Sequence, residues 1–453
     1  MKNLKYIIIL TILFFSCNKK LDVSPSDSVP EGSVFADNAS IQKALIGAYD
    51  VMTGDYLLNG DLQLYSEMLG AGDELRWDGT YDQPNQIYNK SILVNNDWIA
   101  STWQHAYNAI NICNNIIASI GNVDEKDRDR VKGEALFIRG EMYFELVTYF
   151  SQPYSAGNTT TNLGVQLVTA PTLGGVNNSD FVPRSTVEQT FDLIVSDLAQ
   201  AASLLPEDYN PNKEKNIHAN KFCAEAVLSR VYLQMGDYEK ARDEANDIIE
   251  NGGYSLTSSY AAEFNNDNNT TEDIFDVQVS EQDAGNDLFL FWSITKYGAR
   301  SGDVAVLQPQ VDLYEAGDAR GNFFYQGNGE LRTEKWQLNF KNIPLIRLAE
   351  MYLTRAECNF RLGTTVGATP FEDIQTIRSR AGLNTDPSYV TLDNIILERH
   401  RELVDEGLHI QDIKRLMQST DGHSFDANEL VFPIPINEIN AVGADILKQN
   451  PGY

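Results

Sequence analysis

The chain is poor in cysteine, in histidine and in positive charge. Four Cys and five His are spread over 453 residues, too few and too scattered for a zinc framework or a disulfide scaffold. Lys and Arg number 35 against 64 Asp and Glu, which sets the net charge at −29. That balance excludes nucleic acid and anionic bilayers as partners held by surface charge, because both need a cationic footprint. No Lys/Arg run exceeds two residues, and no second long apolar run follows the N-terminal one. H-E-x-x-H, a Walker loop, G-x-G-x-x-G after a strand and G-x-S-x-G are all missing, which removes the usual sequence grounds for proposing an enzyme. His105, His218, His400, His409 and His423 share no ligand spacing, so neither a metal nor a cofactor is expected.

What is present is a globular balance, 42% hydrophobic and 22% charged, able to bury a sizeable core. The first residues are Met1-Lys2-Asn3-Leu4-Lys5, followed by an apolar run from Tyr6 to Phe15 and then Ser16-Cys17. A cationic start and an apolar stretch too short to span a bilayer predict a secretory signal over residues 1–16. The small Ser16 directly before Cys17 has the pattern of a bacterial lipobox. Cys17 is therefore expected to become a lipid-bearing N-terminus, an ordinary signal with an incidental Cys being the alternative. Two or three acyl chains on that residue would hold the protein to a membrane as one chain cannot. Residues 17–36 read as a polar, Pro/Ser-rich linker, and 37–453 as a tethered body forming one domain. Cys113, Cys223 and Cys358 fall among apolar residues in helical patterns and are expected to be free, buried thiols.

The body is mainly helical. A first helix is predicted over Ser40–Met52, capped by Asp37 or Asn38. Ile99, Trp103, Ala106, Ile110, Cys113, Ile117 and Ile120 mark the buried stripe of another, ended by Gly121. A third spans about Asp127–Phe150. A fourth, Ser185–Leu205, opens on a Ser185/Glu188 capping-box pattern. Asn220–Gly253 has the spacings of a tetratricopeptide repeat: small Ser229 and Ala241 for close helix approach, Tyr232 beside them, and a turn at Gly236. Pro344–Gly382 is a weaker copy, with Ala356 and Gly363 in the corresponding places. The pair Asn96–Gly121 and Asp127–Phe150 has the lengths of a further one, and a last helix runs Leu392–Glu406. Two excursions, about 53–96 and 254–340, are read as irregular, with strand-like runs only at Ile274–Val279 and Leu288–Ile294. Insertions of this kind gather on one face of a repeat scaffold. The fold class is thus a tetratricopeptide-like helical bundle with a loop-rich irregular insertion.

Several segments in the same order resemble the SusD/RagB family of Bacteroidetes surface lipoproteins. They are Cys17 with Leu21-Asp22-Val23-Ser24-Pro25; Asn96-Asp97-Trp98 through Asn108-Ala109-Ile110-Asn111; Lys341–Glu350 with Arg355-Ala356-Glu357; Ile396–Gly407 with Asp412-Ile413-Lys414-Arg415; Phe432-Pro433-Ile434-Pro435; and Asn450-Pro451-Gly452-Tyr453. The resemblance implies a SusD-like binding protein, not an enzyme. It implies an outer-membrane lipoprotein facing the cell exterior, seated over a TonB-dependent transporter of the SusC type, and capturing a glycan or other small nutrient. Two departures stand out. Leu408-His409-Ile410-Gln411 replaces the aromatic pair usual after the Glu-Gly motif, and the chain is short for the family, which trims the excursions.

Sugars present flat C–H faces to aromatic rings and hydroxyls to amides and carboxylates. Trp77 and Tyr81 lie in a polar stretch, Asp73–Asp82, where Trp77 has no periodic core face to join. Trp77, Tyr81, Tyr88, Trp292 and Tyr297 are therefore the candidate ligand-binding residues. For Trp292, which alternates with Leu290 and Ile294, a core-facing strand position is the competing reading. Trp103 lies on the core stripe. Glu398, Glu402 and Glu406, spaced four apart beside Asp405, admit two readings. One is an acid/base pair for glycoside cleavage. The other, favoured, is an ion-pair network with Arg380, Arg399, Lys414 or Arg415 opposite. Asn265–Thr271 with Asp276 has alternating oxygen donors like a calcium loop, but Thr270 stands where the turn wants Gly, and a solvated loop is the better reading. A surface glycosidase and a repeat scaffold that binds only protein or peptide remain the rival functions.

Overall fold

The computed structural model describes residues 34–172, 181–208, 218–281 and 285–453. The signal peptide, the Cys17 anchor and most of the linker lie outside the described residues.

The helices arise where the 3.6-residue stripe is strong and a capping side chain is available. Asn38–Met52 begins at Asp37, whose carboxylate accepts from the Ser40 N–H at 2.8 Å, and it buries Ile41, Leu45, Ala48 and Met52. Asp97–Ala118 is capped by Asn96 and buries Ile99, Trp103, Ala106, Ile110 and Cys113. It packs on Arg128–Phe150, which packs on Val187–Leu204, and that helix on Lys221–Met235. The stack continues through Tyr238–Asn251 to Leu348–Leu362, against which Pro370–Arg380 and Leu392–Leu403 are laid. Among the described residues no helix is long and apolar enough to cross a membrane.

The repeat predicted at Asn220–Gly253 forms as a helix pair, with Gly236 as the left-handed cap at φ 74. The small residues act as the spacing requires. Ser229 Oγ donates to the Ala241 carbonyl at 3.0 Å, a contact between the two helices that any larger side chain would block. The weaker copy also forms, with Gly363 at φ 66 between its helices, but Pro344 precedes it in a strand, Ile343–Arg347. Cys113, Cys223 and Cys358 are free and buried.

Other expectations are corrected. The capping box of Val187–Leu204 is built by Thr186 and Gln189, one residue beyond Ser185/Glu188, because Arg184–Thr186 pairs as a strand with Leu163–Gln166. Leu288–Ile294 is not a strand. Asn286 caps a short helix, Asp287–Trp292, in which both faces meet the core. The 53–96 excursion contains a helix, Asp61–Gly70, with all ten residues buried. A helix buried all round shows no polar stripe and so no amphipathic period. The last long helix ends at Leu403, since Asp405 takes φ 64 and turns the chain out of it.

The two excursions, far apart in sequence, meet in one antiparallel sheet. Its strand order is Leu75–Trp77, Val304–Val306, Glu330–Thr333, Phe324–Gly327. Leu75 lies opposite Val306, and Trp77 opposite Val304. This pairing brings aromatic residues of both excursions to one surface.

Candidate functional site

Rings from three separate segments converge at the edge of that sheet. Tyr81 follows the Leu75–Trp77 strand and is 40% exposed. Trp98 sits in the first turn of the Asp97–Ala118 helix, its N–H donating to the Asn96 side chain at 3.2 Å. Phe291 comes from the short Asp287–Trp292 helix. The ring centroids are 5.5 Å apart for Tyr81–Trp98, 5.7 Å for Trp98–Phe291 and 6.4 Å for Tyr81–Phe291. Tyr56 adds a fourth ring, 6.3 Å from Trp98 and 5.6 Å from His105. Its backbone stands at φ 64, a costly conformation for an aromatic residue. Two contacts hold it there: its N–H donates to Asp61 at 2.6 Å and its carbonyl accepts from Thr102 Oγ1 at 2.9 Å.

Polar groups rim the rings. The Arg300 guanidinium lies 4.0 Å over the centroid of Tyr81 and donates to Thr80 Oγ1 at 3.0 Å and Asp303 Oδ2 at 2.5 Å. Asp55, Asp82 and Asp97 are exposed beside Tyr56, Tyr81 and Trp98 in the chain, and Gln83 donates to Asp97 at 2.8 Å. Burial, with the Asp55 charge adding to it, pushes the Asp61 carboxyl up to about 7, and burial with the Asp61 and Asp55 charges pushes that of Asp287 up to about 9. The arrangement offers half-exposed aromatic faces bordered by hydroxyl-binding groups, which suits a sugar ring.

The predicted residues divide. Trp77 is not a surface ring. It is 6% exposed, its ring packs 6.0 Å from Phe291, and a Cβ on Gly79 would lie 2.3 Å from its Cζ2. It underpins the platform. Trp292 is wholly buried at 0% and offers a ligand no face. Tyr81 is in the cluster. Tyr297, half-buried, meets Tyr325 edge-on at 5.8 Å and lies in the turn leading to Arg300. Tyr88 is half-buried at the end of Asp82–Tyr88, with Lys90 Nζ 5.4 Å from its centroid, and makes no ring contact with the cluster among the described residues. The residues that sequence reasoning missed are Tyr56, Trp98, Phe291 and Arg300. Trp98 carried a signal: it lies off the Ile99–Trp103–Ala106 stripe at the start of its helix. Tyr56 carried none, since its left-handed backbone depends on tertiary contacts.

The carboxylate column proves to be sealed in. Glu398 and Glu402 are each 0% exposed. Glu398 accepts from Arg320 at 2.8 Å, Arg378 at 2.6 Å, Arg401 at 2.8 Å and Tyr389 at 2.7 Å. Glu402 accepts from Arg347 at 2.7 Å, Arg320 at 3.3 Å and also Arg380. Glu406, beyond the helix end, accepts from Arg347 and from Lys335 at 2.6 Å. Burial alone would raise the Glu402 carboxyl, but the guanidiniums of Arg380, Arg347 and Arg320 hold it well below the usual carboxylate range. Of the cations expected opposite, only Arg380 reaches the column. Arg399 pairs with Glu350 and Asp412, Arg415 with Glu357 and Asp412, and Lys414 donates to the Thr148 carbonyl. A general acid must hold a proton facing substrate, and this geometry gives Glu398 and Glu402 a structural role instead.

The Asn265–Asp276 segment does not gather its oxygens. Asn265 Oδ1 accepts from the Leu338 N–H at 3.0 Å, Asp267 pairs with Lys341, and Asp276 is buried in a strand.

Stacked helix pairs with a sheet-borne aromatic platform place the molecule among tetratricopeptide-like helical proteins. Comparison with known proteins narrows this. A family model described as "Starch-binding associating with outer membrane" matches residues 19–233, and one described as "SusD family" matches residues 224–427. The chain belongs to the SusD/RagB family. It is 23% identical to "SusD-like protein P2" of Formosa agariphila over the whole of both chains. It is 25% identical to "Starch-binding protein SusD" of Bacteroides thetaiotaomicron, over 54% of this chain and 62% of that one. The crystal structure of a "Putative sugar binding protein" from Bacteroides vulgatus superposes with a TM-score of 0.81 at 26% identity, covering 92% of this chain and 99% of that one.

Proposed function

We propose that the protein binds an oligosaccharide at the cell surface on the Tyr56–Tyr81–Trp98 platform and delivers it to a TonB-dependent SusC-like transporter. The observation that carries this reading is the convergence of half-exposed rings from separate segments, with Arg300 at their rim and an exposed aspartate next to each of Tyr56, Tyr81 and Trp98 in the chain. Tyr297 extends the rim on the Arg300 side, and Tyr88 serves as an outlying contact. Residues 1–16 are removed as the signal peptide, Cys17 carries the lipid that holds the protein to the outer membrane, and residues 37–453 act as one domain. The matching family description and the relatives' names support glycans over peptides as the ligand class. The sealed ion pairs of Glu398 and Glu402 weigh against the glycosidase reading.

The test is calorimetric titration of a glycan and peptide panel into the mature protein, with products checked afterwards. Saturable heat with an intact glycan is expected. Replacing a central stacking ring, Tyr81→Ala or Trp98→Ala, should weaken affinity at least about tenfold. Unchanged affinity in a folded Tyr81→Ala protein would remove the platform from the account.

A further inference from the structure

Three side chains that no sequence spacing links meet beside an open cavity. Glu74 comes from the segment before the Leu75–Trp77 strand, His400 from the Leu392–Leu403 helix, and His409 from the start of His409–Arg415. One ligand atom from each lies within 4.8 Å of the others. His400 Nε2 is 2.8 and 3.0 Å from the two carboxylate oxygens of Glu74, and the two imidazole centroids are 4.7 Å apart. None is sealed: the side chains of His400, Glu74 and His409 are 21%, 17% and 14% exposed. Glu74 and His409 border a cavity of about 420 Å³ whose wall also includes Asp73 and Asp421, and all three side chains border an adjoining one of about 290 Å³ that Asp412 also lines.

We propose that Glu74, His400 and His409 bind a divalent first-row transition-metal ion, with zinc as the reference ion. Two imidazoles and one carboxylate are a sufficient protein ligand set for such an ion when a fourth position stays open to solvent or ligand. Tetrahedral coordination at about 2.0–2.1 Å places donors roughly 3.3 Å apart. The His400–Glu74 separations of 2.8 and 3.0 Å would open by a few tenths of an ångström to reach that spacing, and side-chain adjustments of roughly 1–2 Å would bring in the third donor. The surroundings are shaped for the ring that completes the set. A Cβ on Gly70 would lie 2.9 Å from His409 Cγ, so Gly70 makes room for the imidazole. His409 Nδ1 is 3.7 Å from Glu67 Oε2, an oxygen that is buried and has no hydrogen-bond partner among the described residues. A carboxylate behind a ligating histidine is the usual outer support of such sites, and a small shift of the ring would make that bond. The ion would tie the 70–74 segment to the C-terminal helices, and its open position would face the cavity.

The experiment is zinc chloride titrated calorimetrically into the full mature chain in detergent after chelator treatment. One saturable, chelator-reversible site per chain is expected. Cobalt(II) loading should give visible absorption bands of a four- or five-coordinate ion. His400→Gln, His409→Gln and Glu74→Gln should each weaken binding at least tenfold, while His423→Gln, at the partly buried His423 near Glu429, should leave it unchanged. In the unmodified protein, zinc should protect His400 and His409 from diethyl pyrocarbonate, a readout that needs no variant to fold. No saturable binding at submillimolar zinc, zinc affinity unaltered by His400→Gln, or equal modification with and without zinc would each overturn the proposal.

Discussion

Replacing Glu402 by Gln distinguishes a structural from a chemical role for the carboxylate column. The substitution keeps the shape and removes one charge from a site with no exposure. Three guanidiniums face that charge: Arg347 Nη1 at 2.7 Å, Arg320 Nη1 at 3.3 Å and Arg380. Each has another acid partner: Glu406 for Arg347, Glu398 and Asp318 for Arg320, and Glu272 for Arg380. The network would therefore loosen without losing every pair. Removing one member of a buried ion network costs about 3–5 kcal/mol. At about 2.1 cal/mol/K per residue, a cooperative unit of roughly 400 residues loses about 4–6 °C in Tm for that cost. Differential scanning calorimetry of the wild type and Glu402→Gln at pH 7 measures it. Arg380→Met combined with Glu402→Gln should be less destabilising than the sum of the single changes, because the two groups are in contact. A Glu402→Gln protein melting within about 1 °C of the wild type would refute the structural assignment. Glycan cleavage by the wild type that disappears in the variant would refute it from the other side.

The remaining predictions concern the platform and the buried acids. Gly79→Ala drives a Cβ to 2.3 Å from Trp77 Cζ2 and 2.9 Å from Asp303 Cβ; such overpacking should cost about 1–3 kcal/mol, read as a lower Tm and weaker glycan affinity, and unchanged values for both would contradict the packing account of Trp77. Acid stability should follow Asp412, whose carboxyl Arg399 and Arg415 hold down at about 2 against the opposing effect of burial. Its folded pKa is depressed, so its contribution is present above the unfolded value near 4 and is lost as pH falls toward 2; Arg415→Met should shift the acid midpoint of unfolding upward. In the metal-free protein Glu67 and Glu145 behave oppositely, since burial pushes each up to about 8. The folded protein then holds protons that the unfolded chain releases above the ordinary value, and stability from these groups falls as pH rises from about 4.5 to 8. Tm should accordingly be higher at pH 5.5 than at pH 8.5, and the reverse order would count against those buried environments.

How far the sequence could be read depended on how far apart the deciding residues lie. The helix pair at Asn220–Gly253 was legible because Ser229, Gly236 and Ala241 fix it within one short stretch. Trp77 was misplaced because what buries it, Phe291, belongs to the other excursion, and only the Leu75–Val306 pairing brings the two together. The ion network was expected, but its principal cations were not, since Arg320 and Arg347 come from a turn and a strand edge that no helical spacing reveals. The platform was legible only at Tyr81. Trp98 had a discernible off-stripe position, whereas Tyr56 and Arg300 are placed by long-range contacts to Thr102 and Thr80.

The Leu392–Leu403 helix connects these observations, because it works on two faces. Glu398 and Glu402 point into the Arg320–Arg347–Arg380 network, which ties the helix to the second excursion and to the repeat stack. Between them in sequence, His400 points the other way and meets Glu74, one residue before the Leu75–Trp77 strand. The platform segment is thus held at both ends. On one side Glu74 is fixed to the C-terminal helix, and on the other Arg300 spans Tyr81, Thr80 and Asp303. A loop held in this way loses little freedom when a ligand settles on it, and that saved ordering cost strengthens binding without any added contact. Breaking the His400–Glu74 tie should therefore weaken glycan binding through Tyr81 even though neither residue is in the aromatic cluster. His400→Gln tests this by the same calorimetric titration used for Tyr81→Ala. A His400→Gln protein with native glycan affinity would show that the sheet pairing alone positions the loop.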